Sequence, residues 1–366
     1  MFGVNNYLTR YRGRISRSLG IGLDNLVSYV RGKEPSCGPF YIGWNITFRC
    51  NSRCAFCRSH EFVDKEPELT FGECSRIIRE IGAKKTEFVT ITGGEPLLRD
   101  DVFDIIKELK KQRITVNLVT NGALLQEKAK ALIEARLDAV TVSVDAASPE
   151  KHDSLRGHPG LFKKAENGIR RMREMRGSSA TPRIILSTVI TMANYRQLED
   201  IVAYWQDKAD EIRFQPIHDS PGTNIWSVSD KTLLPKGQEK EEVAGCLTAF
   251  FNRHKKLSSN YESEFPAFFM DRRALAKRYR CFAGYFMLQI DAYGNVYPCP
   301  EFIANVGNLK KEAFKDVWHG ARLKDFRKEI KGSPSCFCWY GCTGPLNYYL
   351  TKATSVFAHL KNLAHR

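Results

Sequence analysis

The 366-residue chain has no run of about eighteen or more apolar residues, which excludes an ordinary membrane-spanning helix. Its first twenty residues, MFGVNNYLTRYRGRISRSLG, carry arginines but no apolar core followed by a small-residue cleavage site. A secretory signal is therefore not expected, and the expected compartment is the cytoplasm, where thiols stay reduced. There is no internal repeat and no low-complexity tract. Acidic residues are in short supply, 41 Asp and Glu against 56 Lys and Arg, leaving a net charge of +15. Such a surface attracts anionic lipid, nucleic acid or an acidic protein. No compact basic-aromatic module is present, so nucleic acid is not an expected partner.

What the chain has instead is cysteine, eleven in all. Cys37, Cys74 and Cys246 are isolated and read as small buried hydrophobes. The other eight are clustered: Cys50, Cys54 and Cys57, then Cys281, Cys299, Cys336, Cys338 and Cys342. In a reducing compartment clustered cysteines read as metal ligands. The first set, C-x3-C-x2-C, offers three thiolates. A cubane [4Fe–4S] cluster held by three thiolates keeps one iron open to a small molecule. A zinc site completed by His60 is the alternative on spacing alone.

From Tyr41 to about residue 217, runs rich in Val, Ile, Thr and Phe alternate with segments of helical apolar spacing. Six β-α units imply a parallel sheet with right-handed crossovers, and six are too few to close an eight-stranded barrel. The expected fold is α/β, a partial (β/α)6 barrel with a small C-terminal α+β extension. The expected segments are 1–36, a basic amphipathic start; 37–217, the partial barrel; 218–280, a connector; 281–345, the extension; and 346–366, a basic amphipathic helix. The three-cysteine loop follows the first strand, GGEP (93–96) the second, and TNG (120–122) ends the third. Parallel α/β sheets place their chemistry at this rim.

These motifs resemble the radical S-adenosylmethionine (radical SAM) superfamily: Cys50, Cys54 and Cys57 with Phe56 before the last, Gly93-Gly94-Glu95-Pro96, TNG at 120–122, SVDA at 143–146 and QP at 215–216. The resemblance covers roughly residues 40 to 217 and implies a [4Fe–4S] cluster on the three cysteines that reductively cleaves S-adenosylmethionine. The 5′-deoxyadenosyl radical then abstracts a substrate hydrogen. It also implies S-adenosylmethionine contacts from Phe56, Gly93, Gly94, Glu95, Pro96, Thr120, Asn121 and Ser143. Glu95 would accept from the methionine ammonium, and Asp145 reads as a structural rim acid.

Cys281, Gly294 and Cys299 form C-x12-G-x4-C around a DAYGN hairpin turn. This resembles the SPASM extension, or its shorter twitch form. Five cysteines from Cys281 onward suit one auxiliary [4Fe–4S] cluster with four ligands, Cys336 and Cys338 competing for one place; structural zinc is the alternative. His218, Asp291 and Tyr297 are candidates for substrate chemistry by location only. The implied electron donor is flavodoxin or ferredoxin. The two basic ends of the chain either lie on anionic membrane or cap the barrel with their charged sides outward. The leading expectation for substrate is a small molecule, lipid or sugar-linked metabolite. The alternatives are a peptide maturase, disfavoured by the shortness of residues 1–36, and a non-catalytic metal-cluster protein.

Overall fold

The computed structural model describes residues 12–219, 228–255, 261–301, 304–332, 338–341 and 343–364. Among the described residues nine strands form one sheet. β1 (Tyr41–Thr47), β2 (Phe88–Gly93), β3 (Thr115–Thr120), β4 (Ala139–Ser143), β5 (Arg183–Ile190) and β6 (Glu211–Pro216) pair in sequence order, all parallel. β7 (Met287–Ile290) adds parallel to the free edge of β1, and β8 (Asn295–Tyr297) and β9 (Gly307–Asn308) follow antiparallel.

Alternation along each strand divides the sheet into two faces. Val89, Ile91, Val116, Leu118, Val140 and Val142 are fully buried against the crossover helices. Those helices are α2 (Phe71–Ala83), α3 (Val102–Lys111), α4 (Leu125–Glu134), α6 (Leu161–Arg176) and α7 (Leu198–Trp205). A capping box starts α2: the Thr70 hydroxyl accepts from Glu73 N–H, and the Glu73 carboxylate accepts from Thr70 N–H. The opposite face is polar. In one row across it, Ser143 of β4 is in register with Ser187 of β5, and Ser187 with Arg213 of β6. This inner face is the wall of the partial barrel.

Several helices were not legible in the sequence, one of them beside the cysteine loop. Between β4 and α6, α5 (Pro149–Arg156) is nucleated by Pro149 at its first turn and by Ser148, whose hydroxyl accepts from Lys151 N–H. After β6, α8 (Glu239–Arg253) sets Phe250 and Phe251 edge-on to Phe214 of β6; α9 (Phe265–Met270) and α10 (Arg272–Arg278) lead to the extension. The DAYGN turn is the β7–β8 hairpin, with Gly294 at φ +84°, a backbone region that favours glycine. α11 (Phe314–Trp318) and α12 (Ala321–Gly332) follow, and α13 (Gly344–Ala364) ends the chain.

The extension meets both edges of the six-stranded wall. β7 extends it beyond β1, while residues 339–341 reach β6 on the far side. There Trp339 N–H donates to His218 Nε2 at 2.8 Å and Gly341 N–H to Gln215 Oε1 at 3.4 Å. The N-terminal helix α1 (Arg12–Arg31) and α13 share one aromatic platform, where Leu26, Tyr29 and Leu350 pack with Phe282, Tyr285 and Phe286. Among the described residues no helix is long and apolar enough to cross a membrane. Cys74 is fully buried, as its reading required, whereas Cys37 and Cys246 are only half-buried.

Candidate active site at the strand ends

Because β1 to β4 are parallel, the cysteine loop, the GGEP turn, TNG and Asp145 emerge at one end of the sheet. Cys50, Cys54 and Cys57 are half-buried, and the Cys54 charge lies close enough to raise the pKa of both Cys50 and Cys57. Burial is the larger effect: it pushes Cys50 up to about 11 and Cys57 to about 12, and raises Cys54. Three neutral thiols crowded together become thiolates only when a cation joins them. Among the described residues no three His, Cys, Asp or Glu side chains gather tightly enough for a single ion, so Cys50, Cys54, Cys57 and His60 are not arranged as a zinc tetrahedron. Three soft thiolate donors on one loop fit a cubane cluster that keeps one iron open.

The turn beside them is built for close approach. A Cβ on Gly93 would lie 2.2 Å from Thr47 O, and one on Gly94 2.2 Å from Arg49 O and 2.6 Å from Phe48 O. Gly94 N–H and Glu95 N–H donate to Thr47 O and Arg49 O, both at 2.8 Å, locking GGEP to the start of the cysteine loop. Glu95 is fully buried, and Pro96 is buried beside it. The Glu95 carboxylate accepts from Thr120 Oγ1 and Asn121 N–H, each at 2.8 Å, and from Leu97 N–H at 3.1 Å. Desolvation raises it to about 7 against the pull of these donors. The Glu95 carboxylate thereby ties GGEP to the end of β3. Asn121 Nδ2 donates to Asn51 Oδ1 (2.7 Å) and Ser52 Oγ (3.2 Å), so TNG also grips the cysteine loop. Ser143 remains half-exposed on the inner face.

A residue that sequence reasoning missed completes the loop's support. Arg156, at the end of α5, is buried, and its Nε donates to Asp145 Oδ2 at 2.6 Å. Its Nη1 lies 3.9 Å from Cys54 Sγ, and its guanidinium carbon 5.1 Å over the Phe56 ring. Backbone bonds from Arg53 N–H to Arg156 O and from Ala55 N–H to Leu155 O dock the helix end on the loop. Asp145, which also accepts from Val189 N–H at 2.9 Å, is the rim acid the sequence pointed to. A buried acid needs a partner, and that need was the available signal for Arg156.

The second set gathers in part. The Cys338 thiol is pushed well above its usual range by burial first, then by Cys299, Glu301 and Cys281 nearby. Three of the five C-terminal cysteines, Cys281, Cys299 and Cys338, therefore converge; Cys336 and Cys342 lie outside the described residues. The three location-based candidates are each held by the chain's own groups. His218 is buried, with Nδ1 bonded to Pro216 O at 2.8 Å and Nε2 accepting from Trp339 N–H. Burial and the Arg272 charge hold it neutral, and it stacks on Tyr340, so it is a strut between β6 and the extension. Asp291 accepts from Tyr293 and Asn295 N–H, both at 2.9 Å, and from Tyr297 OH at 3.1 Å. Asp291 and Tyr297 together brace the hairpin.

Residues 44–204 match the family model described as the radical SAM superfamily, and residues 281–343 match that of the SPASM iron-sulfur cluster-binding domain. The AdoMet-dependent heme synthase of Methanosarcina barkeri is 28% identical over 323 residues, 80% of this chain and 87% of that protein. The mycofactocin maturase MftC of Mycobacterium tuberculosis is 26% identical over 304 residues, 81% of this chain and 75% of that one. Among solved structures, Streptococcus suis SuiB bound to precursor peptide SuiA aligns with a TM-score of 0.62 at 16% identity, over 82% of this chain and 69% of that one.

Proposed function

The chain belongs to the radical SAM superfamily and carries a SPASM iron-sulfur extension, and from that premise we propose that it is a maturase-type oxidoreductase acting on a peptide. The reaction class is carried by one observation: three cysteine thiols share a strand-end rim with the Gly93-Gly94 cradle. When bound, the [4Fe–4S] cluster and S-adenosylmethionine supply a 5′-deoxyadenosyl radical for hydrogen abstraction. Cys50, Cys54 and Cys57 would hold the cluster. Gly93 and Gly94 let the GGEP turn pack against the backbone of the cysteine loop, and Thr120 and Asn121 hold that rim in shape through Glu95. Arg156 and Asp145 fix the position of Cys54. Cys281, Cys299 and Cys338, with one further cysteine, would hold a single auxiliary cluster able to carry away the electron of an oxidation. A small acidic reductant protein, a flavodoxin or ferredoxin, suits the net charge of +15.

For the substrate, the likeness to a maturase along most of both chains and the fold shared with SuiB, whose structure holds a precursor peptide, favour a peptide over the leading expectation. The shortness of residues 1–36 had argued the other way, but segment length is a poor guide to where a peptide binds. The heme synthase match supports a second reading, a small molecule. One experiment separates them. Iron-loaded protein is incubated without oxygen with S-adenosylmethionine, dithionite and cell extract, and 5′-deoxyadenosine is measured. Stimulation lost on protease treatment of the extract supports a peptide; stimulation that survives supports the small molecule and overturns the peptide reading.

A further inference from the structure

α1 carries apolar side chains on two faces. Leu19, Leu23, Val27 and Val30 are 66%, 58%, 37% and 61% exposed, four of the seven large apolar side chains exposed among the described residues. Their spacing of four, four and three sets them in one stripe, about 16 Å long at 1.5 Å per residue. The inner face already has its own anchors, the buried Ile21 and Tyr29, and polar groups beside them. Asn25 Nδ2 donates to Gly38 O at 3.2 Å, and the Asp24 carboxylate accepts from Ser36 Oγ at 2.9 Å and Cys37 N–H at 2.8 Å. The outward side of α1 therefore presents an apolar stripe together with charge, where a helix that only caps its own barrel presents polar groups.

The charge around the stripe selects its partner. Residues 1–33 contain Arg10, Arg12, Arg14, Arg17, Arg31 and Lys33 against one acid, Asp24; the Asp24 carboxylate is engaged by Ser36 and Cys37, and Arg17 pairs with Glu87 at 3.6 Å. Arg31 and Lys33 are exposed at the end of the helix, and Lys331 lies 5.3 Å over the Tyr29 ring beside them. The neighbouring α13 adds Lys352 and the exposed Tyr349. Pairing the stripe with that of a second copy would bring these cations face to face in chains of charge +15. An anionic lipid surface takes both the apolar stripe and the cations.

We propose that α1 is an interfacial helix, seating Leu19, Leu23, Val27 and Val30 in the surface of an anionic bilayer. This places the enzyme on a membrane whichever substrate it takes. The test is flotation of the full-length, iron-loaded protein with vesicles of phosphatidylcholine, with and without phosphatidylglycerol. The expected result is binding that requires phosphatidylglycerol and weakens with salt. Leu19→Glu and Leu23→Glu should each lower partitioning on the order of tenfold or more, from the burial energy of one leucine. Because both side chains face solvent, the variants should keep the parent circular dichroism and iron content. Wild-type protein that stays off both vesicle types would overturn the proposal, as would binding indifferent to Leu23→Glu. A lipid-free dimer that Leu23→Glu converts to monomer would overturn it too, assigning the stripe to a second copy. If deleting residues 1–11 is needed before any vesicle binding is seen, the stripe belongs to that segment and the proposal fails.

Discussion

Asp145→Asn exchanges one oxygen for an amide nitrogen at a fully buried site. The native carboxylate accepts from Arg156 Nε at 2.6 Å and from Val189 N–H at 2.9 Å. An asparagine keeps one of these bonds and turns its NH2 toward the other donor. The guanidinium is then left buried beside a Cys54 thiol that burial keeps protonated at neutral pH. Removing one partner of a buried ion pair costs about 3–5 kcal/mol. That loss is expected in urea unfolding of the iron-free protein, followed by tryptophan fluorescence and checked for a single transition. Asp145→Asn combined with Arg156→Leu removes the stranded charge and should recover much of it, giving a large coupling energy. Iron loading converts Cys54 to a thiolate beside the guanidinium, so the single substitution should cost less in the loaded protein. A loss of only about 0–1 kcal/mol, typical of an exposed pair, with no dependence on iron, would refute this account of the loop's support.

Gly94→Ala should lose the iron bound by Cys50, Cys54 and Cys57 while keeping the auxiliary iron, because its Cβ meets two backbone oxygens of the cysteine loop; Gly22→Ala, with nothing within 4 Å, should retain both in the same iron assay. Cys281→Ala and Cys299→Ala should each lose about four irons and retain about four, the content of one cubane, by iron analysis. His152 is held down to about 4, by burial first and then by Arg156, so the unfolded chain binds its proton more readily and stability falls as pH drops below about 6.5. Between pH 7 and pH 5 the wild type should lose about 2 kcal/mol more than His152→Asn in urea unfolding; parallel pH profiles would contradict this.

The strands were legible because their outward residues, such as Val116, Leu118, Val140 and Val142, alternate with polar inner ones. The rim was legible because its ligands sit in three short loops, each directly after a strand. α5 was not, since its sequence PEKHDSLR has only Leu155 as an apolar anchor; its caps and its docking on the cysteine loop hold it. Arg156 belongs to that helix and carries no motif of its own. His218, Asp291 and Tyr297 attracted attention by position, yet their polar atoms are engaged in holding the extension together. The sequence of α1 is amphipathic either way round, and the burial of Ile21, Asn25 and Tyr29 settles which face is left outside.

The central claim is that Cys50, Cys54 and Cys57 form an S-adenosylmethionine-cleaving centre. Its most direct measurement is 5′-deoxyadenosine formed by anaerobically iron-loaded protein with S-adenosylmethionine and dithionite, set beside Cys54→Ala protein that retains its auxiliary iron. The account predicts product from the wild type and none from the variant. Equal product from both, or none from a wild type carrying its full iron, would contradict it.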